Sequence, residues 1–239
     1  VPTVAFAATS SPTKVNVKSA TAKSLTYNAK SQTTTIVVNG KTLTLNKDFK
    51  IVSGSLKATK AGTYTVKIKG IGNYSGDTTV KYTVNAQQSY KATAAAKTYN
   101  AKNQTTKVTV KYGNTVLKRG TDYKITGVTK AKNAGKYKIT VKGINNYKGT
   151  KTIYYTINKA AQKSVKVKVN ASKKKITVSG VKAKAKVTYK SANKKVKVKN
   201  GKITVGKGVK KGTKVRITVK VAATKNYKAY SKSIIYKVK

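Results

Sequence analysis

Few residues in this chain have the type and spacing to do chemistry. Asp48 and Asp122 stand at matching places, in Asn46-Lys47-Asp48-Phe49 and Gly120-Thr121-Asp122-Tyr123. A buried, neutral carboxyl there would promote an isopeptide bond between a desolvated Lys and an Asn. A solvated one would accept backbone N–H groups at the turn leading into the next strand, which is the expectation. Tyr74, Tyr147 and Tyr227 each follow an Asn. Exposed, they would offer ring faces to sugars or bases. A structural role is expected instead, with the ring buried and the hydroxyl returned to nearby backbone.

The third group is lysine. The final third of the chain carries Lys173-Lys174-Lys175, Lys194-Lys195 and Lys210-Lys211, with Lys166, Lys168, Lys197 and Lys199 alternating with valine. On one side of a strand, lysines two residues apart stand roughly 6.6 Å from each other, close enough to follow the charges of a flexible polyanion. These residues are the candidate anion-binding set, weighed against a generic solvated face. The whole chain has 54 Lys and Arg against three acids, a formal charge of +51. That is far beyond the magnitude of about 2–8 that serves solubility in a small domain. Only Arg119 and Arg216 carry guanidinium groups. Lysine is a hydrated point charge without the fork that reads guanine, so any nucleic-acid binding would be non-specific.

Other chemistry is poorly supplied. Cys, Met, Trp, His and Glu are absent, which removes disulfides, soft-metal ligands and imidazole acid–base work. A Ser-Lys pair is the remaining nucleophile and base, and no Ser-x-x-Lys in a helical context supports it. Three dispersed Asp cannot supply the roughly six to eight oxygens that Ca²⁺ takes. No enzyme, cofactor or metal is expected. Near the start, Ala5-Phe6-Ala7 has the A-x-A form of a signal-peptide end, with cleavage after Ala7. Residues 1–13 are therefore read as a signal-peptide remnant or disordered leader, and the chain as secreted. No stretch approaches the roughly 18 apolar residues of a membrane span, so no insertion is expected.

The elements that must position these residues come in repeats. Tyr27-Asn28-Ala29-Lys30-Ser31-Gln32-Thr33-Thr34 returns as Tyr99-Asn100-Ala101-Lys102-Asn103-Gln104-Thr105-Thr106, and Asn73-Tyr74-Ser75-Gly76 as Asn146-Tyr147-Lys148-Gly149. The period of about 73 residues is the size of a small domain. The third copy lacks the Tyr-Asn opening but keeps Asn226-Tyr227-Lys228. Modules are placed at 14–86, 87–160 and, diverged and strongly basic, 161–239. Period-two runs such as Val165-Lys166-Val167-Lys168-Val169 and Val215-Arg216-Ile217-Thr218-Val219 predict strands with one apolar and one basic face. Asn39-Gly40, Gly113-Asn114 and Asn200-Gly201 predict hairpin turns. The fold class expected is all-β, as tandem sandwiches.

The x-Asp-Phe/Tyr turn, followed by Ala61-Gly62-Thr63-Tyr64 or Ala134-Gly135-Lys136-Tyr137 and then by Asn-Tyr-x-Gly, resembles bacterial immunoglobulin-like repeats of secreted and cell-surface proteins. Thr188-Tyr189-Lys190-Ser191-Ala192-Asn193 in the third module is similar to a strand of other bacterial Ig-like domains. The resemblance implies an Ig-like sandwich and a spacer, adhesive or wall-binding role, with no fixed binding residues to carry over. The Lys- and Tyr-rich, Cys-free composition is also similar to that of lactobacillar surface-layer proteins. The expected partners are an anionic cell-wall polymer such as teichoic acid, an acidic glycan, or non-specifically bound nucleic acid, together with self-association.

Overall fold

The structure is a computed structural model describing residues 1–7 and 11–239. Ala8, Thr9 and Ser10, within the leader read at 1–13, lie outside the described residues. The chain divides into two compact units, one comprising 1–92, 110–125 and 140–151, the other 93–109, 126–139 and 152–239.

In the first unit, alternation decides which side of each strand is buried. Val66, Ile68, Val80, Tyr82 and Val84 point inward from the Gly62–Gly70 and Asp77–Asn85 strands, while Thr65, Lys67, Lys69, Thr79 and Lys81 point out. These two strands pair antiparallel along most of their length and form the centre of a four-stranded sheet with Leu25–Thr26 and Phe49–Gly54 at its edges. Leu25–Thr26 runs parallel to the closing strand, Leu25 opposite Val84. A second sheet holds Thr21–Ala22, Ile36–Val38 and Lys41–Thr42. Ile36, Val38 and Leu43 meet Phe49, Val66, Ile68 and Val80 in one core. Burying each such aliphatic side chain contributes about 1.5–3 kcal/mol. The Phe49–Gly54 strand shifts register between Ile51 and Ser53. It passes so close to its neighbour that a Cβ on Gly54, at φ 84°, would collide with the Thr65 carbonyl oxygen.

The repeated Tyr-Asn-Ala-Lys-x-Gln-Thr-Thr motif folds the same way in both units. Asn28 and Asn100 each accept the N–H two residues on, at 2.9 Å, across Ala29 (φ 66°) and Ala101 (φ 64°). Gln32 and Gln104 reach back to the carbonyls of Thr26 and Thr98 at 2.8 and 2.9 Å. Thr34 and Thr106 are buried and donate to Lys23 and Ala95 carbonyls at 2.5 and 2.6 Å. An apolar residue at either Thr would leave a carbonyl without its partner.

In the second unit, residues 161–239 form two antiparallel sheets. One has the order Lys166–Asn170, Lys175–Ser179, Lys202–Val205, Val196–Lys199, and the other Val187–Ser191, Lys214–Val221, Tyr230–Lys237. Ile176, Val196 and Ile203 from the first pack against Val215, Ile217, Val219 and Tyr236 from the second.

Equivalent tyrosines are satisfied differently. The buried Tyr82 hydroxyl donates to the Ser55 carbonyl at 2.9 Å, whereas the buried hydroxyls of Tyr155 and Tyr236 have no hydrogen-bond partner among the described residues. A buried hydroxyl left unpaired costs about 1–3 kcal/mol, while a made bond contributes about 0.5–1.5 kcal/mol. Tyr155→Phe and Tyr236→Phe are therefore expected to hold or raise the urea midpoint and Tyr82→Phe to lower it. A uniform loss in all three would contradict the assignment.

Candidate anion-binding surface

Within residues 161–239, register brings the lysines of the four-stranded sheet onto one face. Lys166 and Lys168 lie opposite Ser179 and Thr177, and Asn170 opposite Lys175. Lys175 lies opposite Lys202, Lys202 opposite Lys199, and Lys197 opposite Thr204. All of these side chains are exposed, whereas the alternating Val167, Val169, Ile176, Val178, Val198, Ile203 and Val205 pack inward. The outer face is thus lysine, threonine, serine and asparagine, with Asn170, Lys175, Lys202 and Lys199 in a row across all four strands.

Of the lysines singled out from the sequence, Lys166, Lys168, Lys175, Lys197 and Lys199 share this face. Lys173 and Lys174 sit in the turn at its end. Lys194 and Lys195 lie in the turn before Val196–Lys199, and Lys210 and Lys211 in the connection to Lys214–Val221; both pairs are exposed and lie off the strands. Lys202 is an addition. Its place in Gly201-Lys202-Ile203-Thr204-Val205 was readable as a strand position, but its position between Lys175 and Lys199 depends on strand order, which short local patterns do not encode. Asn200-Gly201 makes the hairpin expected of it, at φ 51° and 81°. The structure adds that Gly201 faces the Ile176 carbonyl so closely that a Cβ there would collide with it.

The two aspartates do turn work. Asp48 Oδ2 accepts the Thr44 N–H and Asp122 Oδ2 the Lys118 N–H, each at 2.8 Å.

The Asn-Tyr pairs are structural, but by a different route from the one expected. In the first unit Asn146 Oδ1 accepts the Ala61 N–H at 2.9 Å, and the Tyr147 ring, buried, meets Tyr27, Tyr90 and Tyr112 edge-on at 5.5, 5.9 and 6.0 Å. In the second unit Asn226 Oδ1 accepts the Ala134 N–H at 2.8 Å, and Tyr227 meets Tyr99 at 5.5 Å. Each pair therefore clasps the Tyr-Asn and Ala-Gly motifs of the preceding sequence repeat. Among the described residues, the tyrosine hydroxyls that do return to backbone belong to Tyr64, Tyr82, Tyr90 and Tyr137. A single repeat read by itself cannot show a contact that spans 85 or more positions.

Burial, reinforced by Tyr27, Asp122 and Tyr112, pushes the Tyr147 hydroxyl far above the ordinary phenol value near 10. A raised folded-state pKa makes its stability contribution complete below about pH 10 and lost as pH climbs through the folded value. Spectrophotometric titration should show a late class of phenols ionising together with unfolding. One class ionising at the ordinary value, with the fold intact, would refute this.

The sheets define an all-β chain, with packed sheets around one core in the first unit and another in residues 161–239. No family model matches the chain, and no curated protein does. Among solved structures it is similar to Drosophila OTK extracellular domains 3–5, with 8% identity, a TM-score of 0.31, and coverage of 90% of this chain and 94% of that one. It is also similar to Sidekick-1 immunoglobulin domains 1–5, with 12% identity, a TM-score of 0.25, and coverage of 92% and 57%. A third is the human Desmocollin-1 ectodomain, with 10% identity, a TM-score of 0.23, and coverage of 95% and 57%. These scores are low, and the fold assignment rests on the chain's own sheets.

Proposed function

We propose that the chain is a non-catalytic secreted protein of the bacterial surface that holds anionic polymers, such as wall teichoic acid, acidic glycans or extracellular DNA, through lysine electrostatics. The observation that carries the reading is the outer face of the Lys166–Asn170 sheet. Lys166, Lys168, Lys175, Lys197, Lys199 and Lys202 stand together there, and residues 161–239 contain no acid to neutralise them. Like charges directly opposite on neighbouring strands repel. An external polyanion relieves that repulsion and releases its own counterions, which gives affinity without sequence specificity. No helix of the described residues is long and apolar enough to cross a membrane, and on this reading the protein stays at the surface by contact.

The test is binding of the purified chain at low salt to isolated bacterial walls with and without teichoic acid, and to DNA. The reading expects retention that follows the anionic polymer. Equal retention by stripped and intact walls would remove it.

The recurring clasp between Asn-Tyr and the preceding repeat favours a second reading, a structural stalk or self-assembling surface-layer component. Ordered sheets or filaments of the purified protein, formed without added polyanion, would select it over the first.

A further inference from the structure

The lysines of this face are not all in the same surroundings. Lys173, Lys174, Lys175, Asn200 and Lys202 line a cavity of about 280 Å³. It sits where two hairpin turns meet: Asn170 to Lys175, and Lys199 to Lys202. Both turns are held by hydrogen bonds. Asn170 Oδ1 accepts the Lys173 N–H at 3.0 Å, Ile203 N–H donates to the Lys174 carbonyl at 2.8 Å, and Ile176 N–H donates to the Gly201 carbonyl at 2.7 Å. The bases of the lysine side chains are thereby fixed before any ligand arrives.

Three features of the cavity point the same way. Its volume lies just under the roughly 300 Å³ at which clefts for small organic ligands begin, so it suits one compact group. Its lining residues are four lysines and one asparagine, with Lys175 and Lys202 directly opposite each other, and residues 161–239 contain no Asp or Glu. Lys174 is held at φ 50°, a left-handed conformation that Gly or Asn adopts more readily. Backbone strain of this kind clusters where a ligand is gripped.

We infer that this cavity is a discrete site for a single phosphate group, so that the polymer is gripped at one point as well as attracted along the face. The inference rests on the polyanion reading above and gives it a location. Phosphate fits better than carboxylate because lysine is a point charge with rotatable donors. It meets a tetrahedral oxyanion from several sides, whereas planar carboxylates are matched by the arginine fork. Neither Arg119 nor Arg216 lines the cavity.

The test uses the full chain and two double variants of equal charge loss at exposed positions, Lys175→Gln with Lys202→Gln, and, outside the candidate set, Lys67→Gln with Lys81→Gln. Amide NMR shifts are followed with inorganic phosphate and, at matched ionic strength, with acetate. Affinity for a poly(glycerol phosphate) is measured alongside. The site predicts saturable phosphate shifts confined to residues 170–176 and 199–203, absent with acetate. They should be lost in the first variant and kept in the second, and polymer affinity should fall tenfold or more in the first and less than twofold in the second. Phosphate shifts spread over all exposed lysines, with both variants losing equal polymer affinity, would overturn the site and leave the diffuse polyanion reading standing. Confined phosphate shifts without polymer binding would keep the site and discard the polymer reading. Neither shifts nor polymer binding at low salt would discard both.

Discussion

If the proposed polyanion binding holds, raising salt from 50 to 200 mM is expected to weaken affinity for a phosphate polymer by roughly 10³-fold or more. A protein that neutralises six to ten phosphates loses about 10³–10⁵ in affinity over that range, because each neutralised phosphate releases a condensed counterion. The face formed by Lys166, Lys168, Lys175, Lys197, Lys199 and Lys202 reaches the lower end of that range, before the turn lysines are counted. The measurement is the slope of log affinity against log salt. Replacing three of the six with Gln should lower the slope by about two to three, since each lost phosphate contact removes about one. A slope near zero, or equal affinity for a neutral polymer of the same length, would falsify the electrostatic account.

The second large effect is on stability. Tyr147→Ala is expected to cost about 3–5 kcal/mol, the range for truncating a large buried aromatic. The Tyr147 ring is 4% exposed and has three aromatic neighbours, Tyr27, Tyr90 and Tyr112. Edge-to-face pairs add about 0.5–1.5 kcal/mol each beyond area burial. Tyr227→Ala removes the equivalent residue of the following repeat, but that ring is only partly buried and, among the described residues, pairs with one aromatic ring, Tyr99. Its cost should be clearly smaller. Urea unfolding of both variants decides the matter, and equal losses would show that the aromatic cluster adds nothing to the clasp.

Much of the fold was legible because strands announce themselves locally. The run from Val165 to Val169 covers all but the last residue of the Lys166–Asn170 strand, and the run beginning at Val215 lies within Lys214–Val221. Asn39-Gly40, Gly113-Asn114 and Asn200-Gly201 each join two strands by a two-residue turn, with Val38 opposite Lys41, Tyr112 opposite Thr115, and Lys199 opposite Lys202. These features depend on neighbours within a few residues. Strand order depends on contacts far apart in sequence, and that is where legibility ended. The alternating lysines could be assigned to one side of a strand, but not to one sheet. Lys202 therefore stayed outside the candidate set although it stands between Lys175 and Lys199. The Asn-Tyr pairs show the same limit. Their burial could be anticipated from residue type, while their partners at Ala61 and Ala134 could not, since nothing in Asn146 or Asn226 names the loop that its side chain reaches.

The pairing of Leu25–Thr26 with Val84–Asn85, and of Lys97–Thr98 with Ile157–Asn158, is parallel and joins an early segment of each repeat to its closing strand. The Tyr27 and Tyr99 N–H groups extend each pairing with a bond to the carbonyl of Asn85 or Asn158 at 2.8 Å. A pull that drew the two ends of such a repeat apart would drag these strands past one another, loading their hydrogen bonds in shear together rather than opening them one after another. Tensile strength in the first two repeats is therefore concentrated at a seam of a few residues. The third repeat, whose sheets are antiparallel throughout, is tied in parallel by the isolated bridge of Ala160 with Tyr227 and is expected to give way first under load.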